Sequence, residues 1–154
     1  MWTYLDLIIF MHRQILLRTC SVILFGIASL YNQAIASAVT VDDVDGLIAA
    51  ISNANGGGDP TILLSDGTYH LNGRYLPITA DGVTVRSVGG RRNAVILDGD
   101  YETTEIFQVV ASNVTIADLT IKRAIYHPIH IMATDGHNVT GVAIDNVHII
   151  DPGQ

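Results

Sequence analysis

The chain has 154 residues, 8 Lys and Arg against 15 Asp and Glu, 49% hydrophobic residues and one cysteine. This fits at most one ordinary globular domain. The acidic balance argues against binding nucleic acid through backbone charge, and one cysteine excludes a disulfide framework and Cys-ligated metals.

Residues 1–38 read as an address. His12, Arg13 and Arg18 precede an apolar run from Ser21 to Leu30, and Ala34-Ile35-Ala36 and Ala36-Ser37-Ala38 each offer a small-x-small cleavage site. Met11 is an alternative start to Met1. A secretory signal peptide is expected; the alternative is a membrane anchor, against which the uninterrupted run is shorter than the roughly 20 residues a span needs. Removal of residues 1–38 leaves 14 acids, 6 bases and no cysteine. The expected location is therefore secreted or periplasmic, with no membrane association after cleavage.

Val44, Leu47, Ile48 and Ile51 fall at i, i+3, i+4 and i+7, with Thr40 or Asp42 available as a cap and a Gly-rich stretch ending at Pro60 to stop the turn. This predicts an amphipathic helix over Asp42 to Asn53. From Thr61 the apolar period becomes two: Ile62/Leu64, Tyr69/Leu71, Val83/Val85, Val95/Leu97, Phe107/Val109, Val114/Ile116, Leu119/Ile121, Ile129/Ile131, Val142/Ile144 and Val147/Ile149. Asp-Gly and Gly-Gly pairs between these short strands suit hairpin turns, which would give an antiparallel meander.

A repeat argues for another arrangement. Asn113-Val-Thr-Ile-Ala-Asp-Leu-Thr-Ile121 is echoed by Gly141-Val-Ala-Ile-Asp-Asn-Val-His-Ile149 at an offset of 28, and Val83/Val85 map onto Val114/Ile116 at 31. Short strands at such a period predict a solenoid in which each coil stacks on the next, like above like. Asp118 then lies under Asn146 at a bend, Arg123 under Asp151 as a surface ion pair, and the helix caps the first coil. The chain stops straight after a strand, so no second cap is expected within it and the solenoid reads as truncated.

The phrases TILLSDGTYHLNG, DGVTVRSVGG, AVILDG and NVTIADLTI resemble the opening coils of secreted right-handed parallel β-helix proteins of the pectin-lyase-like superfamily, from Val39 onward. The resemblance implies an all-β fold with residues 39–60 as capping helix and Gly-rich linker and 61–154 as the first coils. It implies a polysaccharide lyase or glycoside hydrolase acting on an acidic polysaccharide, with Ca²⁺ as an accompanying ion, or else a noncatalytic surface or adhesive scaffold. A fragment of the coils alone is expected to be inactive.

The residues offer fewer commitments. Asp98-Gly99-Asp100 is either bend chemistry or the start of a metal loop. His127, His130, His137 and His148 gather late in the chain without a ligand spacing such as His-Glu-x-x-His, so no metal is assigned from sequence. His130 and His148, each between apolar neighbours, should face outward, as solvated groups or as ligands or a base. Tyr126 is either corner packing or a surface for a sugar ring. Tyr126, His127, His130 and His148 are thus the candidate polysaccharide contacts, with no catalytic residue assigned. Lys122 and Arg123 serve either structure or proton abstraction. Asn113 and Asn138 match glycosylation sequons that the coil pattern also explains.

Overall fold

The computed structural model describes residues 37–153. The expected leader lies outside the described residues apart from Ser37 and Ala38, and Ala38 already opens a strand. The elements in chain order are β1 (Ala38–Val41), α1 (Val44–Asn55), β2 (Thr61–Leu64), β3 (Gly67–His70), β4 (Leu76–Ile78), β5 (Thr84–Ser87) and β6 (Val95–Asp98). They continue with β7 (Glu105–Val109), β8 (Thr115–Ala117), β9 (Thr120–Lys122), β10 (His127–Ile131), β11 (Ala143–Asp145) and β12 (His148–Ile150).

The strands form three sheets, ordered β1-β2-β5-β8-β11, β3-β6-β9-β12 and β4-β7-β10. After β2 the chain visits them in strict rotation, and every ladder between these strands is parallel. Hairpins are thereby excluded for these strands, since neighbours in a hairpin run antiparallel. One round of the rotation is called a coil below.

Register makes the core. Ile62, Val85 and Ile116 lie in successive strands of the first sheet, each fully buried. Tyr69, Leu97 and Ile121 do the same in the second sheet, and Leu76 and Phe107 in the third. Each such side chain contributes about 1.5–3 kcal/mol by leaving water. The expected partners Ile116/Ile144 and Ile121/Ile149 are in register. On the final coil Ile131, Ile144, Ile149 and Ile150 are more than 40% exposed.

The repeat is less regular than 28 and 31 suggest. In the third sheet Leu76 pairs with Phe107, 31 positions on, but Phe107 pairs with Ile129, only 22 on. Strands are held in register by their apolar faces while corners absorb the difference in length. Left-handed corners stack as well. Asp118 and Asn146 have φ of 57° and 50°, a conformation that Asp and Asn tolerate better than most residues. Asn146 Nδ2 donates to Asp118 Oδ1 at 2.9 Å, as the stacked bend requires, and Arg86 donates to the other oxygen at 2.5 Å. These donors hold the Asp118 carboxyl below its ordinary pKa, the Asn146 bond first and Arg86 with it, against the opposing effect of burial.

Helix α1 differs from expectation at its ends. Its N-cap is Asp43, whose side chain accepts from Gly46 N at 2.6 Å, rather than Thr40 or Asp42. A carboxylate at this position satisfies an N–H that the first turn leaves free. Leu47, Ala50, Ile51 and Ala54 are buried, and α1 packs on β1, β2 and β4. Asn55 completes the cap: its Nδ2 donates to Pro77 O at 2.7 Å and its Oδ1 accepts from Thr79 N at 2.9 Å. It thus occupies backbone groups of β4 and the residue after it, at the edge of the third sheet. Strand β4 was not among the expected strands; its Pro77 is tolerated because the strand is an edge. Tyr69 OH lies 3.0 Å from both Val41 O and Ser65 O. Burial, with the nearby Asp42 charge, pushes that hydroxyl up to about 12.

Candidate functional site

Two clusters of charged groups arise from the stacking. The first is at the corner after β6. The register sets Asp98 of β6 beside Lys122 of β9, one coil on. Asp98 is fully buried, and Lys122 Nζ lies 2.8 Å from its Oδ2. Arg123 donates through Nε to Oδ1 at 2.8 Å and through Nη2 to Oδ2 at 2.6 Å. Asp100 N donates to Oδ1 at 3.1 Å. Four donors therefore occupy the roughly four acceptor positions of one carboxylate. Burial alone would raise the Asp98 pKa, but the bonds from Arg123 and then Lys122 outweigh it and hold the carboxyl well below the usual range.

Around this core Arg123 also pairs with Asp100, and His70 Nδ1 lies 2.7 Å from Asp100 Oδ2. The Arg123 guanidinium sits 5.9 Å from the centroid of the Tyr101 ring. Gly99 is needed for close approach, since a Cβ there would lie 2.6 Å from Arg123 O on the next coil. The expected Arg123–Asp151 ion pair is not formed. The two residues do stack, with Arg123 N donating to Asp151 O at 3.0 Å, but the Arg123 side chain reaches the preceding coil, where a buried carboxylate is the stronger attraction. The Asp151 carboxylate accepts from the Tyr101 hydroxyl instead.

The second cluster is on the third sheet. Glu105 opens β7 and is paired in register with His127, which opens β10. His130 Nδ1 lies 2.6 Å from Glu105 Oε1 and His127 Nδ1 lies 3.4 Å from the same oxygen. The two imidazole centroids are 4.9 Å apart. Gln108 Nε2 approaches the other carboxylate oxygen at 3.4 Å. Among the described residues no Lys or Arg pairs with Glu105.

An open groove of about 480 Å³ is lined by Tyr101, Ala124, Ile125, Tyr126, Asp151 and Gly153. Tyr101 and Tyr126 are about half exposed, at 49% and 55%. Tyr126 N donates to Thr104 O at 2.9 Å, which fixes the groove wall next to Glu105 and His127.

The structure thus brings Tyr126, His127 and His130 into one region. His148 is exposed on β12 of another sheet, in register with Thr120, and does not join them. Glu105 and Tyr101 were not singled out in sequence. The signal for Glu105 was a coil offset of 22, hidden because the visible repeat ran at 28.

Calcium, implied by the family resemblance, finds a poor match in the Asp98/Asp100 cluster. Its buried carboxylate is already filled by fixed cations, whereas Ca²⁺ takes 6–8 oxygen ligands. No protein-family model, curated protein or solved structure matches the chain.

Proposed function

We propose that the chain forms coils of a right-handed parallel β-helix of the pectin-lyase-like kind, exported from the cell, and that its groove between Tyr101 and Tyr126 holds an acidic polysaccharide. The rotation through three parallel sheets supports the β-helix, and crossovers between parallel strands are overwhelmingly right-handed. The observation that carries the polysaccharide reading is the groove itself, with two half-exposed tyrosine rings and the Asp151 side chain in its lining. Aromatic faces provide apolar area for a sugar ring, and polar groups near them fix its hydroxyls.

By family analogy the protein is a polysaccharide lyase or glycoside hydrolase. A noncatalytic scaffold is the second reading, favoured by one observation: Lys122 and Arg123 are both engaged by Asp98. An Arg or Lys held by a buried carboxylate is structural and is not free to remove a proton.

Isothermal titration of the full chain with oligouronates, together with an ultraviolet assay for unsaturated products and an assay for new reducing ends, tests both. Saturable binding that falls at least tenfold in Tyr126→Ala supports the polysaccharide groove. Unsaturated products select the lyase, new reducing ends without them select the hydrolase, either result overturns the scaffold reading, and binding with neither supports the groove alone. Failure to bind any oligouronate, or binding unchanged in Tyr126→Ala, rejects the groove.

A further inference from the structure

We infer that Glu105, His127 and His130 form a binding site for a late first-row divalent cation of the Zn²⁺ type, independent of any polysaccharide in the groove. One ligand atom from each of the three residues lies within 4.8 Å of the other two. Tetrahedral Zn²⁺ with bonds of about 2.0–2.1 Å sets its ligands roughly 3.3 Å apart. The His127 Nδ1 to Glu105 Oε1 separation, 3.4 Å, already matches this spacing. The His130 contact at 2.6 Å is a hydrogen bond that must open by less than 1 Å, on the order of a side-chain adjustment.

The scaffold favours such a site. All three side chains come from neighbouring parallel strands, and the ladder fixes His127 opposite Glu105. Pro128 follows His127 and restricts it to extended backbone. Strand-borne ligands are positioned more closely than ligands on loops.

The hydrogen bonding within the cluster is shared unequally. One carboxylate oxygen faces two imidazole nitrogens, and only His130 is close enough for a normal hydrogen bond. His127 Nδ1 lies 3.4 Å from the same oxygen, a separation that two ligands of one tetrahedral metal would have. The other three-residue cluster, His70, Asp98 and Asp100, is a useful contrast. Lys122 and Arg123 already neutralise it, so a divalent ion would have to displace two fixed cations.

Donor chemistry selects the metal class. Two imidazoles and one carboxylate suit Zn²⁺, Cu²⁺ or Ni²⁺, whereas Ca²⁺ and Mg²⁺ require oxygen-rich shells. Three protein ligands leave a fourth position for water or an incoming ligand, the arrangement of open zinc sites. His127 is 54% and His130 36% exposed, so the ion can enter from solvent.

The test is titration of untagged, metal-free full chain with Zn²⁺ by calorimetry and with Co²⁺ by visible absorption. One ion per chain is expected, with Co²⁺ bands of tetrahedral intensity and no competition from a large excess of Ca²⁺. Glu105→Ala and His130→Ala should each weaken Zn²⁺ binding at least tenfold, while His148→Ala leaves it unchanged. His127→Gln, at an exposed position, repeats the test without risk to the fold, which far-ultraviolet circular dichroism checks for every variant. Affinity unchanged in His127→Gln, equal loss in His148→Ala, or equal affinity for Ca²⁺ would overturn the assignment. Polysaccharide binding is assayed separately with metal chelated, so the groove and the metal site can fail independently.

Discussion

The Asp98 corner and the Glu105 face are built by the same device. In each, a carboxylate on one coil meets two nitrogen bases supplied by the next coil, Lys122 and Arg123 in one case and His127 and His130 in the other. They differ in burial and in the permanence of the charge. Asp98 is fully buried and is paired with a lysine and an arginine. Glu105 keeps 19% of its side chain exposed and faces imidazoles, which serve as ligands when neutral. The first arrangement locks two coils together. The second leaves lone pairs that another ion can use.

The largest expected effect breaks the first region. Asp98→Ala leaves Lys122 facing a buried site without its counter-charge and Arg123 with Asp100 alone. Unpairing a buried ion costs about 3–5 kcal/mol, and the partial exposure of both partners puts this case near the lower end. Denaturant unfolding should show that loss, while Glu105→Gln stays within about 1 kcal/mol, as for exposed pairs. Equal losses would remove the distinction between lock and open site.

Zinc should act in the opposite sense. An ion that binds only the folded chain adds about 2.7 kcal/mol at a hundredfold excess over its dissociation constant. Thermal unfolding of the wild type should move upward with Zn²⁺ and return on adding chelator. Glu105→Ala should show at most about half that stabilisation, and Lys122→Met should retain it.

Acid separates the regions further. The folded pKa of Asp98 is depressed, so the stability it contributes is complete above its unfolded value of about 3.9 and is lost as pH falls toward the folded value. Asp118 adds a smaller contribution of the same sign. Wild-type stability should therefore fall more steeply below about pH 4 than that of Asp98→Asn, measured by denaturant midpoints across the acid range. Parallel curves would show that Asp98 does not carry the acid response.

The smallest effect concerns Thr103, between the two regions. Its hydroxyl is buried without a hydrogen-bond partner, although its backbone bonds to Gly99 and Ile125. Thr103→Val removes an unsatisfied polar atom at nearly constant shape and should stabilise the chain by about 1 kcal/mol. A loss of similar size would show that the hydroxyl has a partner in solution.

Much of this architecture was legible in the residues. Alternating apolar pairs identified the inward side chains, and the echo of Ile116 and Leu119 in Ile144 and Val147 gave the parallel stacking, because strand alternation and like-on-like packing are local rules. The bend at Asp118 and Asn146 was readable for the same reason. Tyr126, His127 and His130 could be named, but nothing local linked them to Glu105 or separated them from His148. Those relations depend on how many residues each corner consumes, and corner length varies while strand register does not. The fate of the Arg123 side chain was likewise undecided by spacing. Backbone stacking put it against Asp151, but electrostatics in three dimensions sent it to the buried carboxylate of Asp98. Sequence by itself determined the coil, because each coil's apolar beat is written in adjacent residues; only the tertiary structure decided which polar groups meet, because they meet across coils whose spacing the chain does not repeat.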